Sequence, residues 1–148
     1  MQGKTVKIST DSVSVIETKF DEAISKDQTQ RDMFNLFRDY LPKIPEGYNL
    51  TVFAYGQTGS GKTYTMFGSD WENAISKHIK QQHQNTFFED LLSDENYAGL
   101  IPRTIFGLFE EIQSHNNEKG QNFNIYCSFL QIYNEKIYDL LQVSLTYI

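Results

Sequence analysis

The chain has 148 residues, the length of one ordinary domain, and its 39% hydrophobic and 14% aromatic content marks a folded polymer rather than a disordered one. Thirteen basic against nineteen acidic residues leave a formal net charge of −6, which argues against nucleic acid or another acidic polymer as the partner of this chain. No apolar run reaches the roughly 18 residues of a membrane span, and MQGKTVKIST lacks the apolar core of a secretory signal, so the expectation is a cytosolic chain without a membrane span.

Lys4 to Thr10 alternates apolar and polar residues, Asp11-Ser12 follows, and then Val13 to Ile16, which reads as a strand, turn and strand. Thr29 with Asp32 three residues on leads into Met33, Phe34, Phe37 and Leu41, the pattern of a capped amphipathic helix stopped by Pro42 and Pro45. After the Glu46-Gly47-Tyr48-Asn49 turn, Leu50 to Tyr55 is β-branched, aromatic and mostly apolar on both faces, as a buried central strand of the parallel type would be. Residues 69 to 98 are polar and rich in Asn and Gln around one apolar cluster at Phe87, Phe88, Leu91 and Leu92; they read as a surface insertion holding a helix or two.

Pro102 suits the first turn of a helix whose Ile105, Leu108, Phe109 and Ile112 share a face, and Asn116 to Gly120 ends it. Asn122 to Tyr133 is the longest strand signal, with both of its faces expected to be covered, and Cys127 within it reads as a small buried side chain. Glu135 to Leu141 reads as a further helical turn. His78 and His83 stand five apart, which does not align two imidazoles on one helix face for a metal, and His115 reads as a solvated side chain near a helix end. Strands alternating with helices argue for an α/β fold, a central sheet flanked by helices.

Gly56-Gln57-Thr58-Gly59-Ser60-Gly61-Lys62-Thr63 fits the phosphate-loop pattern G-x-x-x-x-G-K-[ST], with a strand signal before it and a helix opening after it. The three glycines let backbone N–H groups turn inward as an anion nest, and the helix start adds its positive dipole end. In this pattern Lys62 bridges the β and γ phosphates of a nucleotide, and the Thr63 hydroxyl coordinates Mg²⁺.

The wider string NLTVFAYGQTGSGKTYTMFG resembles the kinesin motor domain and is far narrower than the generic phosphate loop. Three further segments fall in family order. Phe20-Asp21 ahead of Thr29-Gln30 resembles the FDxVF and TQ region, Gly99 to Arg103 resembles GIIPR, and Phe129 to Leu141 resembles the EIYNEKIYDLL segment. The resemblance runs from about residue 4 to about residue 145 and corresponds to the first half or less of a complete motor domain. It implies a phosphate-loop NTPase-type sheet, here an incomplete kinesin fold across 1–148, with ATP and Mg²⁺ held by Gly56 to Thr63. Tyr64 stands where the family offers a ring to the adenine, and an aromatic that packs its own helix is the equal alternative.

The departures from the family pattern carry their own expectations. No RxRP-type segment precedes Lys4, and neither an NxxSSRSH string nor a DxAGSE string occurs. The expectation is a motor domain truncated before both switch regions, with no catalytic residue for turnover within these residues. The resemblance implies a microtubule partner and a cytoplasmic, cytoskeletal location, with the microtubule-binding elements in the absent half. Residues 69 to 98 fall where the family interrupts the helix after the phosphate loop; such an insertion tunes exchange, binds a partner, or is simply tolerated at the surface. Two readings of function stand beside each other: the ATP-binding part of a microtubule motor, and a nucleotide-binding or regulatory remnant that does not hydrolyse. An unrelated phosphate-loop kinase or helicase finds no support outside the loop.

Overall fold

Residues 4–9, 15–69, 92 and 97–142 are described in the structure, a computed structural model. The chain divides into two compact units, Met1–Ser114 and His115–Ile148.

In the first unit, β1 (Lys4–Ser9) pairs antiparallel with β2 (Val15–Phe20), as the alternating pattern predicts, with β2 running four residues past Ile16. The register sets Lys7 opposite Glu17, and the two side chains meet at 3.4 Å; opposite charges directly across a ladder favour that register by a fraction of a kcal/mol, roughly 0.2–1. Lys4 adds an ion pair to Glu22 at 2.6 Å. Both pairs are solvent-exposed, so they select the pairing more than they stabilise it.

The capped helix is α1 (Gln30–Arg38). Thr29 and Asp32 form the full capping box: the Asp32 N–H donates to Thr29 Oγ1 at 3.1 Å, and the Thr29 N–H donates to Asp32 Oδ2 at 2.8 Å. The helix stops where the sequence places its prolines, passing into a single 3₁₀ turn at Leu41–Lys43. Leu41 is buried there, with 2% exposure, and forms the core of the unit with Ala98 and Leu100.

The helix α2 (Lys62–Phe67) follows the phosphate loop, and α3 (Leu100–Lys119) carries Pro102 in its first turn. α3 passes close to the end of α1. At Gly107 a Cβ would stand 2.7 Å from Leu41 Cδ1 and 3.5 Å from Phe34 Cζ, so the absent side chain sets the approach. Ile105 and Phe109, expected on a covered face, are 41% and 53% exposed. Arg103 is buried instead, its Nε donating to the Ala98 carbonyl at 2.9 Å. No helix among the described residues is long and apolar enough to cross a membrane.

The expected central strand differs from its pattern. Leu50 to Tyr55 belongs to no ladder, and Phe53 and Tyr55 are 82% and 95% exposed. A strand is made by its partners, and a segment apolar on both faces finds its partners only far away in sequence.

In the second unit, only Leu130–Tyr133 of the long strand signal is paired; this is β3, and it meets β4 (Lys136–Asp139) antiparallel. The helical turn expected over Glu135 to Leu141 is therefore a strand. Asn134 at φ 49° and Glu135 at φ 61° make the two-residue turn, both left-handed, as a type I′ hairpin requires. Residues 122–129 run without a ladder, so Cys127 is exposed rather than buried and Tyr126 is 90% exposed. His115 is half-buried and meets the Phe123 ring edge-on at 6.3 Å, a contact the reading as a solvated imidazole did not anticipate. The expected insertion lies almost wholly outside the described residues, the Phe87, Phe88 and Leu91 cluster, His78 and His83 with it.

Candidate phosphate-binding loop

The loop between Tyr55 and α2 takes its shape from its glycines. Gly59 and Gly61 stand at φ 81° and 91°, in the left-handed region where a side chain is strained. At Gly56 the constraint is space: an added Cβ would collide with Ser60 Oγ. The Ser60 N–H closes a turn onto the Gln57 carbonyl at 3.2 Å, and Gly61 opens α2 without any side-chain cap. The opening amides of that helix therefore lack the side-chain acceptor that Thr29 supplies to α1.

Lys62 sits at the mouth of this turn. Its ammonium donates to the Gly56 carbonyl at 2.8 Å and to the Gln57 carbonyl at 2.7 Å, so the cation stands over the loop rather than in bulk solvent. Gly56 to Ser60 are exposed, Gly61 and Lys62 are half-buried, and Thr63 is exposed beside them. A cation and a hydroxyl on an exposed, glycine-rich loop are the kinds of group that a polyphosphate with Mg²⁺ requires. The sequence-predicted residues from Gly56 to Thr63 are thus contiguous in space as well as in the chain. Tyr64 is 49% exposed.

Two features escape a reading of the loop alone. Gln30, with 4% exposure, donates from Nε2 to the Tyr64 carbonyl at 2.6 Å across a separation of 34 residues. The far end of α2 is closed by an antiparallel bridge, Gly68 to Ala98, with the Ser69 N–H on the Tyr97 carbonyl at 3.0 Å and the Gly99 N–H on the Phe67 carbonyl at 3.0 Å. That bridge brings together the two ends of the stretch read as an insertion. Gly68 and Gly99 are both required there, because a Cβ on either would run into backbone atoms of the other strand. The sequence marks Gln30 only as part of the Thr29-Gln30 pair that resembles the family's TQ region, a signal that does not point to the Tyr64 carbonyl.

An apolar groove of about 240 Å³ lies beside α2, lined by Phe37, Leu50, Val52, Met66, Ile101 and Ile105 among others. It runs along the unpaired approach to the loop.

Comparison with known proteins matches the chain as a whole to one family. The kinesin motor domain model matches residues 2–147. The kinesin-like protein KIP1 of Eremothecium gossypii is 42% identical over 123 residues, covering 82% of this chain, and KIP1 of Saccharomyces cerevisiae is 40% identical over 127 residues, covering 85%. The chain spans only 10% of the length of each of these two relatives. Among solved structures, the motor domain of the Kar3-like kinesin from Ashbya gossypii matches with a TM-score of 0.71 at 28% identity, over 95% of this chain and 37% of that one. The C-terminal motor domain of Kar3 from Candida glabrata matches with a TM-score of 0.71 at 30% identity, over 95% and 38%. These likenesses agree with the incomplete α/β motor fold read from the sequence, and members of the family bind nucleotide with Mg²⁺. The chain belongs to the kinesin motor domain family.

Proposed function

We propose that this chain is the ATP-binding part of a microtubule-based motor, with Gly56 to Thr63 as its phosphate cradle. The observation that carries the reading is the loop itself: left-handed glycines at 59 and 61, close approach at Gly56, and the Lys62 ammonium held over the mouth. The loop N–H groups and Lys62 would hold the phosphates and the Thr63 hydroxyl would hold Mg²⁺, which would offset phosphate charge. Tyr64, 49% exposed, is the residue that would take the adenine. The microtubule partner, the cytoskeletal location and ATP hydrolysis coupled to movement follow from the family relation, and belong to the protein that carries this segment.

The test is a titration of the full chain with a fluorescent ATP analogue in Mg²⁺. Lys62→Ala removes a charge-assisted contact of about 1.5–3 kcal/mol, so affinity falls roughly tenfold or more. Equal affinity in the variant refutes the role given to Lys62. Tight binding by a protein that shows no microtubule-stimulated hydrolysis would instead support a nucleotide-binding remnant.

A further inference from the structure

The helix that carries Lys62 and Thr63 is six residues long and has no side-chain cap. A helix of that length does not hold itself in water; isolated helices below roughly 12 residues are marginal even with good propensity. Its placement must come from tertiary bonds. At its far end the bonds are the bridge from Gly68 to Ala98 and the Gly99 N–H on the Phe67 carbonyl. At its middle the bond is the one from Gln30.

Three observations set Gln30 apart from a polar residue that merely happens to be inside. Its side chain is 4% exposed, so the amide has left water and depends on the protein for its partner. Its Nε2 meets the Tyr64 carbonyl at 2.6 Å, a short bond, and that carbonyl also accepts the Gly68 N–H at 2.8 Å. The base from which Gln30 reaches is rigid, because the Thr29–Asp32 capping box already satisfies the first turn of α1 and leaves the Gln30 amide without a capping task. Tyr64 is one residue beyond Thr63 and two beyond Lys62. A tether at its carbonyl therefore sets where the hydroxyl and the ammonium stand.

We infer that Gln30 is a positioning residue for the phosphate loop: its amide pins α2 to the start of α1, and so holds Lys62 and Thr63 ready for a phosphate. The inference rests on the proposed nucleotide role of the loop. Preorganisation of this kind adds affinity by removing ordering that the ligand would otherwise have to impose. Gln30 touches no phosphate; it acts through the backbone of Tyr64.

The experiment uses the full chain, a fluorescent ATP analogue with Mg²⁺, and Gln30→Met, which keeps side-chain length and loses the donor. One buried hydrogen bond corresponds to about a fivefold change in affinity, and that loss is expected, mainly in the off-rate. Gln30→Asn, which keeps the amide but draws it back by one methylene, is expected to lose affinity likewise. A purely structural role would lower thermal stability and leave the folded protein's affinity alone; unchanged affinity in folded Gln30→Met overturns the inference. In a double-mutant cycle the Gln30→Met loss should vanish on a Lys62→Ala background, and full additivity overturns it too. The Gly68 amide, which shares the Tyr64 carbonyl, should exchange its hydrogen several-fold faster in either Gln30 variant without any nucleotide. Unaltered exchange overturns the inference even where binding is not measured. If Lys62→Ala weakens binding and Gln30→Met does not, the tether fails and the nucleotide reading survives; if the unaltered chain binds no nucleotide, both fall.

Discussion

The two stretches that the sequence writes most plainly as strands, Asn122 to Tyr133 and Leu50 to Tyr55, differ in outcome: the first pairs over its last four residues and the second over none. Leu130–Tyr133 is paired, closed onto Lys136–Asp139 through the two residues Asn134 and Glu135. Leu50 to Tyr55 joins no ladder among the described residues, with Tyr55 95% exposed. The difference is in distance along the chain, not in strand propensity. A hairpin finds its partner two residues later and needs only a turn that allows positive φ. A strand of the parallel type needs a crossover of a dozen residues or more, and its apolar faces are covered only once the other layers are present. The pattern of Leu50 to Tyr55 is the one expected of this second kind. The bridge from Gly68 to Ala98 shows that a distant closure can still form here where glycines admit the close approach.

The largest expected effect tests that distant closure. Gly99→Ala sets a Cβ 2.5 Å from the Gly68 nitrogen and 2.7 Å from two carbonyl carbons, none of which can swing aside. A loss of about 3 kcal/mol is expected in denaturant unfolding of the first unit, at the upper end of overpacking costs. Wild-type stability in this variant would mean that the bridge is not a real constraint.

The local closure comes next. Asn134 is held at φ 49°, which a β-branched side chain resists, so Asn134→Val is expected to weaken the hairpin by about 2 kcal/mol. Faster hydrogen exchange across Leu130–Tyr133, with no change in α1, is the expected result; uniform change in both would show that the two regions are not separable as described.

A smaller effect separates a local cap from both kinds of pairing. Thr29→Ala removes half of the capping box and should cost about 1 kcal/mol. The hydrogen bonds from the Thr29 N–H and hydroxyl hold the Asp32 carboxyl below its ordinary value of 3.8. A carboxylate with a depressed folded pKa contributes stability above its unfolded pKa and loses it as pH falls through the folded one. Helical signal from α1 should therefore decline on acidification below about pH 4, and Thr29→Ala, which keeps the backbone N–H responsible for most of the lowering and loses the hydroxyl, should flatten that decline in part. An equal acid response in the variant would take the cap out of the account.

The smallest change runs the other way. Glu135 is held at φ 61° with no side-chain advantage from it, so Glu135→Gly is expected to strengthen the hairpin by up to about 1 kcal/mol, turning Asn-Glu into the preferred Asn-Gly. Slower exchange across Leu130–Tyr133 is the check. No gain would mean that glycine's extra freedom in the unfolded chain offsets the relief.

What could be read without coordinates follows the same division by distance. The α1 cap was legible because Thr29 and Asp32 are three residues apart and their bonds are local. The β1–β2 ribbon was legible from alternation, and the loop from residue types at fixed spacing. The hairpin was not: Asn-Glu lacks the glycine that marks a two-residue turn, and Lys136 to Asp139 is too short for its period to tell strand from helix. Cys127, expected to be buried, is exposed for a physical reason of the same sort, since the cover for 122–129 is not something its own residues can supply.

By itself the sequence determined the family of this protein: glycines, a lysine and a threonine at phosphate-loop spacing, in an order and a context that mark the kinesin motor domain. These are properties of adjacent residues, and adjacency is what a sequence records. Only the tertiary structure decided which distant groups hold that loop in place. Gln30 on the Tyr64 carbonyl, Gly99 against Gly68 and Gly107 against Leu41 join residues 34, 31 and 66 positions apart. Such contacts depend on close packing between elements, which no local pattern of residues encodes.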